Sequence, residues 1–323
     1  MTTSNRETTG FLLSVVFVGL AAGRDVYFGA LFQRVHPLAV ALTAFTLCPL
    51  VFLPIAFVRD RAGLARLRRH AGTLVSINAT SAIAWLSFFH ALRIAEPALV
   101  QVVFFGIGPL SVTWIDRFVP GMALAARSPA ERRLHLGLLG ALLFAAAVML
   151  GGASGLGPQP LGRALAGLAL TVGGGICISI STLLSRVVND AGVGPATLIA
   201  LRFPGAIALA GVLTALSPAS ATAGLTPGML ATIAGASLLL IVLPSYVNQI
   251  GIALASPLTV RAVLALGPVL VFLLQLVEGR LPSSAATLAA CVLYAVFAVA
   301  SAVARRRAIR VPPAPALATA AGR

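Results

Sequence analysis

Residues 97–109, PALVQVVFFGIGP, and residues 257–268, PLTVRAVLALGP, decide the fold. Each opens on a proline, runs through a largely apolar stretch with a strongly polar residue four positions on, Gln101 or Arg261, and closes on Gly-Pro. The opening prolines are 160 residues apart and the Gly-Pro pairs 159. A third anchor, His36-Pro37 against Gly194-Pro195, gives 158. Three anchors at nearly one offset mark a duplicated chain. The same register sets Ala44 on Arg202 and Gln101 on Arg261.

The chain of 323 residues is 59% hydrophobic and only 10% charged, too apolar for a soluble surface. Backbone groups in lipid must bond internally, and a helix needs about 20 apolar residues to cross. Long apolar runs between short polar loops therefore predict an all-α membrane protein. Spans are expected near 10–32, 38–58, 72–92, 95–115 and 135–153, then near 162–185, 194–216, 227–250, 254–275 and 283–304. Ten transmembrane helices divide into five per copy, and an odd number forces the second copy to run the opposite way. The expected organisation is two inverted five-helix repeats, 1–155 and 156–304, followed by a basic, disordered cytoplasmic tail, 305–323. Inverted repeats are a transporter signature, with the site near their interface at mid-bilayer.

Net charge is +15, and all 23 basic residues are Arg. No Arg-rich soluble module, zinc spacing or aromatic stacking platform accompanies them, so nucleic acid is not the expected partner. Sixteen Arg fall on one side of the expected spans, four (Arg34, Arg93, Arg163, Arg280) on the other, and Arg24, Arg202 and Arg261 within spans. The positive-inside bias then puts both termini in the cytoplasm and the protein in the cytoplasmic membrane. Cys48, Cys177 and Cys291 sit in apolar runs as packing residues, far from any metal-ligand spacing.

The chemistry is expected from the few polar groups within spans, because a charge at mid-bilayer costs about 2.5–3.5 kcal/mol on insertion scales. Arg202 and Arg261 lie roughly 12 Å and 10 Å into their helices at about 1.5 Å per residue. Both could hold a carboxylate or phosphate bidentately; snorkelling or capping of helix carbonyls is the alternative. Arg24 and Asp25 are neighbours about 100° apart on one helix, so each is expected to find a different partner. Asp25 is also the leading candidate for a proton-coupling group. Gln101, Tyr246, Asn248 and Gln249 supply neutral polar groups for a solute, and Trp85 an aromatic wall, with interhelical hydrogen bonding and packing as the alternatives. Pro109 and Pro268 each remove a backbone hydrogen bond mid-span and are expected to kink their helices into gates. Gly19 and Gly23 form a small-xxx-small face for close helix contact, and Gly173 to Gly175 is expected to do likewise.

The stretches His90-Ala91-Leu92-Arg93-Ile94-Ala95-Glu96-Pro97, Leu201-Arg202-Phe203 and Ala253 to Pro268 followed by Glu278-Gly279-Arg280-Leu281 resemble the drug/metabolite transporter superfamily, of the ten-helix EamA type. The likeness covers nearly the whole chain in layout. It implies a secondary-active exporter and, since such members carry an Arg in the second helix of each repeat, a structural role for Arg202. Two departures stand out: Ala44 replaces that Arg in the first repeat, and Gly23-Arg24-Asp25-Val26-Tyr27 replaces the usual Trp-Gly element.

The expected function is alternating-access transport of a small polar metabolite, such as an amino acid or related carboxylate-bearing compound. Exchange of anionic organic acids or phosphorylated solutes is the second reading. No Ser/His dyad, metal-spaced His cluster or nucleotide-phosphate loop is present, so neither an enzyme nor a cofactor or metal is expected. A non-transporting scaffold is the remaining class. Coupling to a proton or counter-solute, and association into a homodimer, are left open.

Overall fold

The computed structural model describes residues 3–115, 129–222, 224–255 and 257–310, and every element among them is helical. In chain order these are α1 (Thr3–Leu31), α2 (Pro37–Arg59), α3 (Arg61–Arg69), α4 (Ala71–Ile94), α5 (Pro97–Ile115), α6 (Pro129–Leu150), α7 (Leu161–Asp190), α8 (Pro195–Arg202), α9 (Pro204–Leu216), α10 (Pro218–Ala221), α11 (Pro227–Ser237), α12 (Leu243–Leu254), α13 (Pro257–Leu264), α14 (Gly267–Glu278) and α15 (Ala285–Arg310). Eight stretches are long and apolar enough to cross a membrane, with α8–α9 and α11–α12 each forming one. Two shorter apolar helices, Pro97–Ser111 and Ala262–Glu278, supplement them. The chain thus has the build of a multi-pass membrane protein.

The prolines that anchored the alignment start helices: Pro37 opens α2, Pro195 α8, Pro97 α5 and Pro257 α13. The first helical position needs no N–H donor, and the proline ring presets its φ. The two Gly-Pro pairs part company, against the expectation of matched kinks. Pro109 lies inside a continuous α5, whereas Pro268 is the second residue of α14, just past the break at residues 265–266. A second break falls at Phe203, before Pro204. Asn78 of α4 bridges it, donating from Nδ2 to the Leu201 carbonyl at 2.8 Å and accepting the Gly205 N–H at Oδ1, also 2.8 Å. The backbone groups left over where the helix stops are thereby satisfied inside the bundle, as lipid requires. Between α11 and α12 the chain stays helical through one wide turn, Leu238–Val242, ahead of Pro244.

α4 lies along α7 and α12 along α1, α5 meets α7, and α13 and α14 meet α1. α2 faces α8 and α9, and α6 runs beside α15. Close glycine approaches fall on α7, as expected for Gly173 to Gly175, and on α1 at Gly10, where a Cβ would lie 2.6 Å from the Ala255 backbone nitrogen, instead of at Gly19 and Gly23. A Cβ on Gly174 would lie 2.9 Å from the Phe104 ring, and one on Gly175 would collide with the Phe104 carbonyl. Gly19 and Gly23 face open space within 4 Å.

Hydrogen bonds sort the loops into two ends. At one, Glu96 after α4 accepts from the Gly155 N–H at 2.7 Å, from Thr287 of α15 at 2.8 Å and from Gln275 of α14 at 3.4 Å. Ser284 donates to the Ala153 carbonyl beside it. At the other end Asp60 accepts from the Gly63 and Gly194 N–H groups, both at 2.9 Å, and from Thr197 at 2.6 Å. Arg66 donates to the Gly192 carbonyl at 2.6 Å, and Arg306 lies 4.0 Å from Glu7. The basic stretch expected to be disordered from Arg305 is helical as far as Arg310, because α15 simply continues; the tail from Val311 lies outside the described residues.

Candidate functional site

The bundle encloses a cavity of about 260 Å³, near the lower limit of the roughly 300–1,000 Å³ usual for small-molecule pockets. Its walls come from both halves of the chain: α1, α4, α5 and α6 on one side, α7, α8, α12, α13 and α15 on the other. Arg24, Trp85, Phe88 and Phe104 are among its lining residues. Glu131, Arg186 and Arg305 line it toward the end where Asp60 and Glu7 lie.

Arg24 is 3% exposed and stands over two rings of α4, its Cζ 5.0 Å from the Trp85 centroid and 5.3 Å from that of Phe88. Its Nε donates to Asp25 Oδ1 at 2.7 Å. This corrects the expectation that the two could not pair. The 100° between their Cβ directions is real, but the arginine stem is long enough to bring Nε back onto its neighbour. Gln101 of α5 donates to the other Asp25 oxygen at 2.7 Å, so both carboxylate oxygens are engaged and Asp25 is sealed from solvent. The Arg24 Nη1 and Nη2 groups have no hydrogen-bond partner among the described residues and remain for the cavity.

Arg202, 9% exposed, ends α8 where the helix breaks. Its Nε donates to Ser81 of α4 and its Nη2 to Ser181 of α7, each at 3.0 Å, and the two hydroxyls are 2.7 Å apart. The guanidinium thus ties α8 to the α4–α7 pair while also lining the cavity. No carboxylate lies within ion-pair distance of it among the described residues.

Ser81, Trp85 and Phe88 are spaced i, i+4 and i+7, hence on one face of α4. Arg202 sits at the first of these and Arg24 at the other two, so the guanidiniums are stacked along α4 about one to two turns apart, on the order of 5–10 Å. Nearer the mouth, Arg305 donates to Glu131 at 3.2 Å, an acid only 1% exposed.

The remaining residues singled out from sequence divide. Asn248, Gln249, Trp85 and Pro109 line the cavity. Gln101 acts on it only through Asp25. Tyr246 does not line it: its ring packs on Phe52, centroids 5.0 Å apart, because α12 turns that position toward α2. Pro268 is buried at the start of α14, away from the lining. The Arg261 side chain lies outside the described residues. Sequence reasoning passed over the Ser81–Ser181 seat, the Glu131–Arg305 pair and the Phe104–Phe105 wall. An acid one turn into α6 opposite the basic end of α15 was the available signal for the second of these.

No family model matches the chain, and no curated protein matches it. A solved structure, described only as "Crystal structure of protein", has the same fold with a TM-score of 0.66 at 23% identity, covering 94% of this chain and 98% of that one. The likeness therefore extends over nearly the whole architecture and speaks to the fold alone.

Proposed function

We propose that the chain is a secondary-active transporter, working as an exporter in the cytoplasmic membrane, that moves a small carboxylate-bearing metabolite by alternating access. The observation that carries this reading is the cavity itself: a space of about 260 Å³ lined from both halves, with the two buried guanidiniums of Arg24 and Arg202 in its wall and the ionic side chains of Glu131, Arg186 and Arg305 beside them. A scaffold gains nothing from burying arginines around an empty space, and each such charge is costly in a membrane.

The organisation proposed with it is ten spans in two inverted five-helix repeats, with both termini cytoplasmic. Support comes from the way contacts exchange: α4 with α7 becomes α12 with α1 when the halves are swapped, and the prolines opening α2 and α5 become those opening α8 and α13. In this frame the cavity reaches toward the cytoplasmic end, where Arg sidedness and the positive-inside bias agree. Glu96 with Gly155, Thr287 and Gln275 closes the opposite end. The structure is then the inward-facing member of an alternating pair.

Counterflow in proteoliposomes tests the reading. Vesicles preloaded with an unlabelled small carboxylate should take up its labelled form transiently and saturably. Linear, unsaturable flux across a panel of carboxylates would overturn it.

A further inference from the structure

The cations around the cavity are not equally balanced. Arg24 has Asp25 at 2.7 Å, Arg305 has Glu131 at 3.2 Å, and Arg186, near the mouth, has Asp190 at 3.9 Å. Arg202 has no carboxylate among the described residues, only the hydroxyls of Ser81 and Ser181 and the Phe203 ring, its centroid 5.8 Å from Cζ. We infer that the site is built for a monoanion, an apolar-bodied monocarboxylate without an α-amino group, whose carboxylate is the missing counter-ion of Arg202.

This deepens the transporter reading and rests on it. A carboxylate entering along α4 meets the Arg202 guanidinium at Ser81 and the unpartnered Nη groups of Arg24 beyond Trp85, both charge-assisted donors. The rest of the ligand lies against Phe104, Phe105 and Leu138. An amino acid would bring an ammonium as well, and the described cavity has no carboxylate to receive it. Asp25 is sealed with both oxygens occupied, and Glu131 is taken by Arg305. A cation–π contact with a phenylalanine returns only part of the cost of taking an ammonium out of water. A second negative charge is equally unmatched, since one described cation is unbalanced.

A series of phenyl compounds that differ in charge carries the test. 3-Phenylpropanoate, phenylalanine, 2-phenylethylamine and phenyl phosphate are titrated against the purified full-length protein by calorimetry. 3-Phenylpropanoate should bind about tenfold or more tighter than the other three, and Arg202→Gln should erase that margin while Arg202→Lys keeps part of it. Equal or tighter binding of any of the other three, no measurable binding of 3-phenylpropanoate, or an undiminished preference in folded Arg202→Gln overturns the assignment. The wild-type series stands even if Arg202→Gln fails to fold. Preference for 3-phenylpropanoate without counterflow overturns the transport reading and leaves the charge assignment in place; counterflow of phenylalanine with no carboxylate preference does the reverse.

Discussion

Arg24 Nε lies 2.7 Å from Asp25 Oδ1, a hydrogen-bonded ion pair between sequence neighbours, buried in the wall of the cavity and completed on its far side by Gln101. Breaking such a pair by removing one partner strands a charge, at about 3–5 kcal/mol. Asp25→Asn should therefore lower the melting temperature of the detergent-solubilised protein sharply. The double variant Arg24→Gln/Asp25→Asn, with no charge to strand, should melt higher than Asp25→Asn alone. A double variant melting at or below the single would show that the two side chains act independently.

Adjacent glycines on α7 offer a steric contrast. Gly175→Ala drives a methyl into the Phe104 carbonyl, while Gly173→Ala meets nothing within 4 Å. Overpacking costs about 1–3 kcal/mol, so Gly175→Ala should unfold at lower temperature and Gly173→Ala at the wild-type value or above. Thermal melts of the two variants side by side decide it.

Glu96 joins α4, the 151–160 loop, α14 and α15 through three accepted hydrogen bonds. Glu96→Ala leaves the Gly155 N–H and the Thr287 hydroxyl without their acceptor, at about 1–3 kcal/mol per buried donor. Hydrogen exchange at Gly155 should accelerate in the variant, while exchange near Asp60, at the opposite end, should not change. Equal acceleration at both ends would mean global loosening instead of a local latch.

Asp60 gives a pH signature. Burial raises its carboxyl pKa, but the bonds from Thr197, Gly194 and Gly63 and the Arg66 charge outweigh that and hold it below the ordinary 3.8. A depressed folded value means that its contribution is present above about pH 4 and is lost as pH falls through the folded value. Protection of the Gly194 amide, measured against its intrinsic exchange rate, should therefore fall in acid, and Asp60→Asn should lower it at neutral pH. A Gly194 rate that follows only the intrinsic pH dependence of exchange would remove Asp60 from this role.

Hydropathy and proline placement made the helices legible, since each depends on a local run of residues. Pro37, Pro97, Pro195 and Pro257 are at helix starts for a reason that holds without any tertiary partner. The site was legible in its ingredients and not in its pairings. Arg202 meets Ser81 across 121 residues and Gln101 meets Asp25 across 76, contacts that only packing creates. Arg24 with Asp25 was misjudged for a different reason: helical angles locate Cβ atoms, whereas the charge sits at the end of a long flexible stem. Pro109 and Pro268 look alike in sequence, yet the chain breaks before only one of them.

The break at Phe203 bears on Arg202 in one further way. A helix that stops inside the bundle presents its own terminal dipole there, equivalent to roughly half a negative charge. Arg202 is the last residue of α8, so the base of its side chain lies at that pole, with Asn78 occupying the Leu201 carbonyl beside it. The backbone thus sets a fractional negative charge at the root of the arginine stem: a partial compensation for burying the guanidinium, and too little to compete with a full carboxylate.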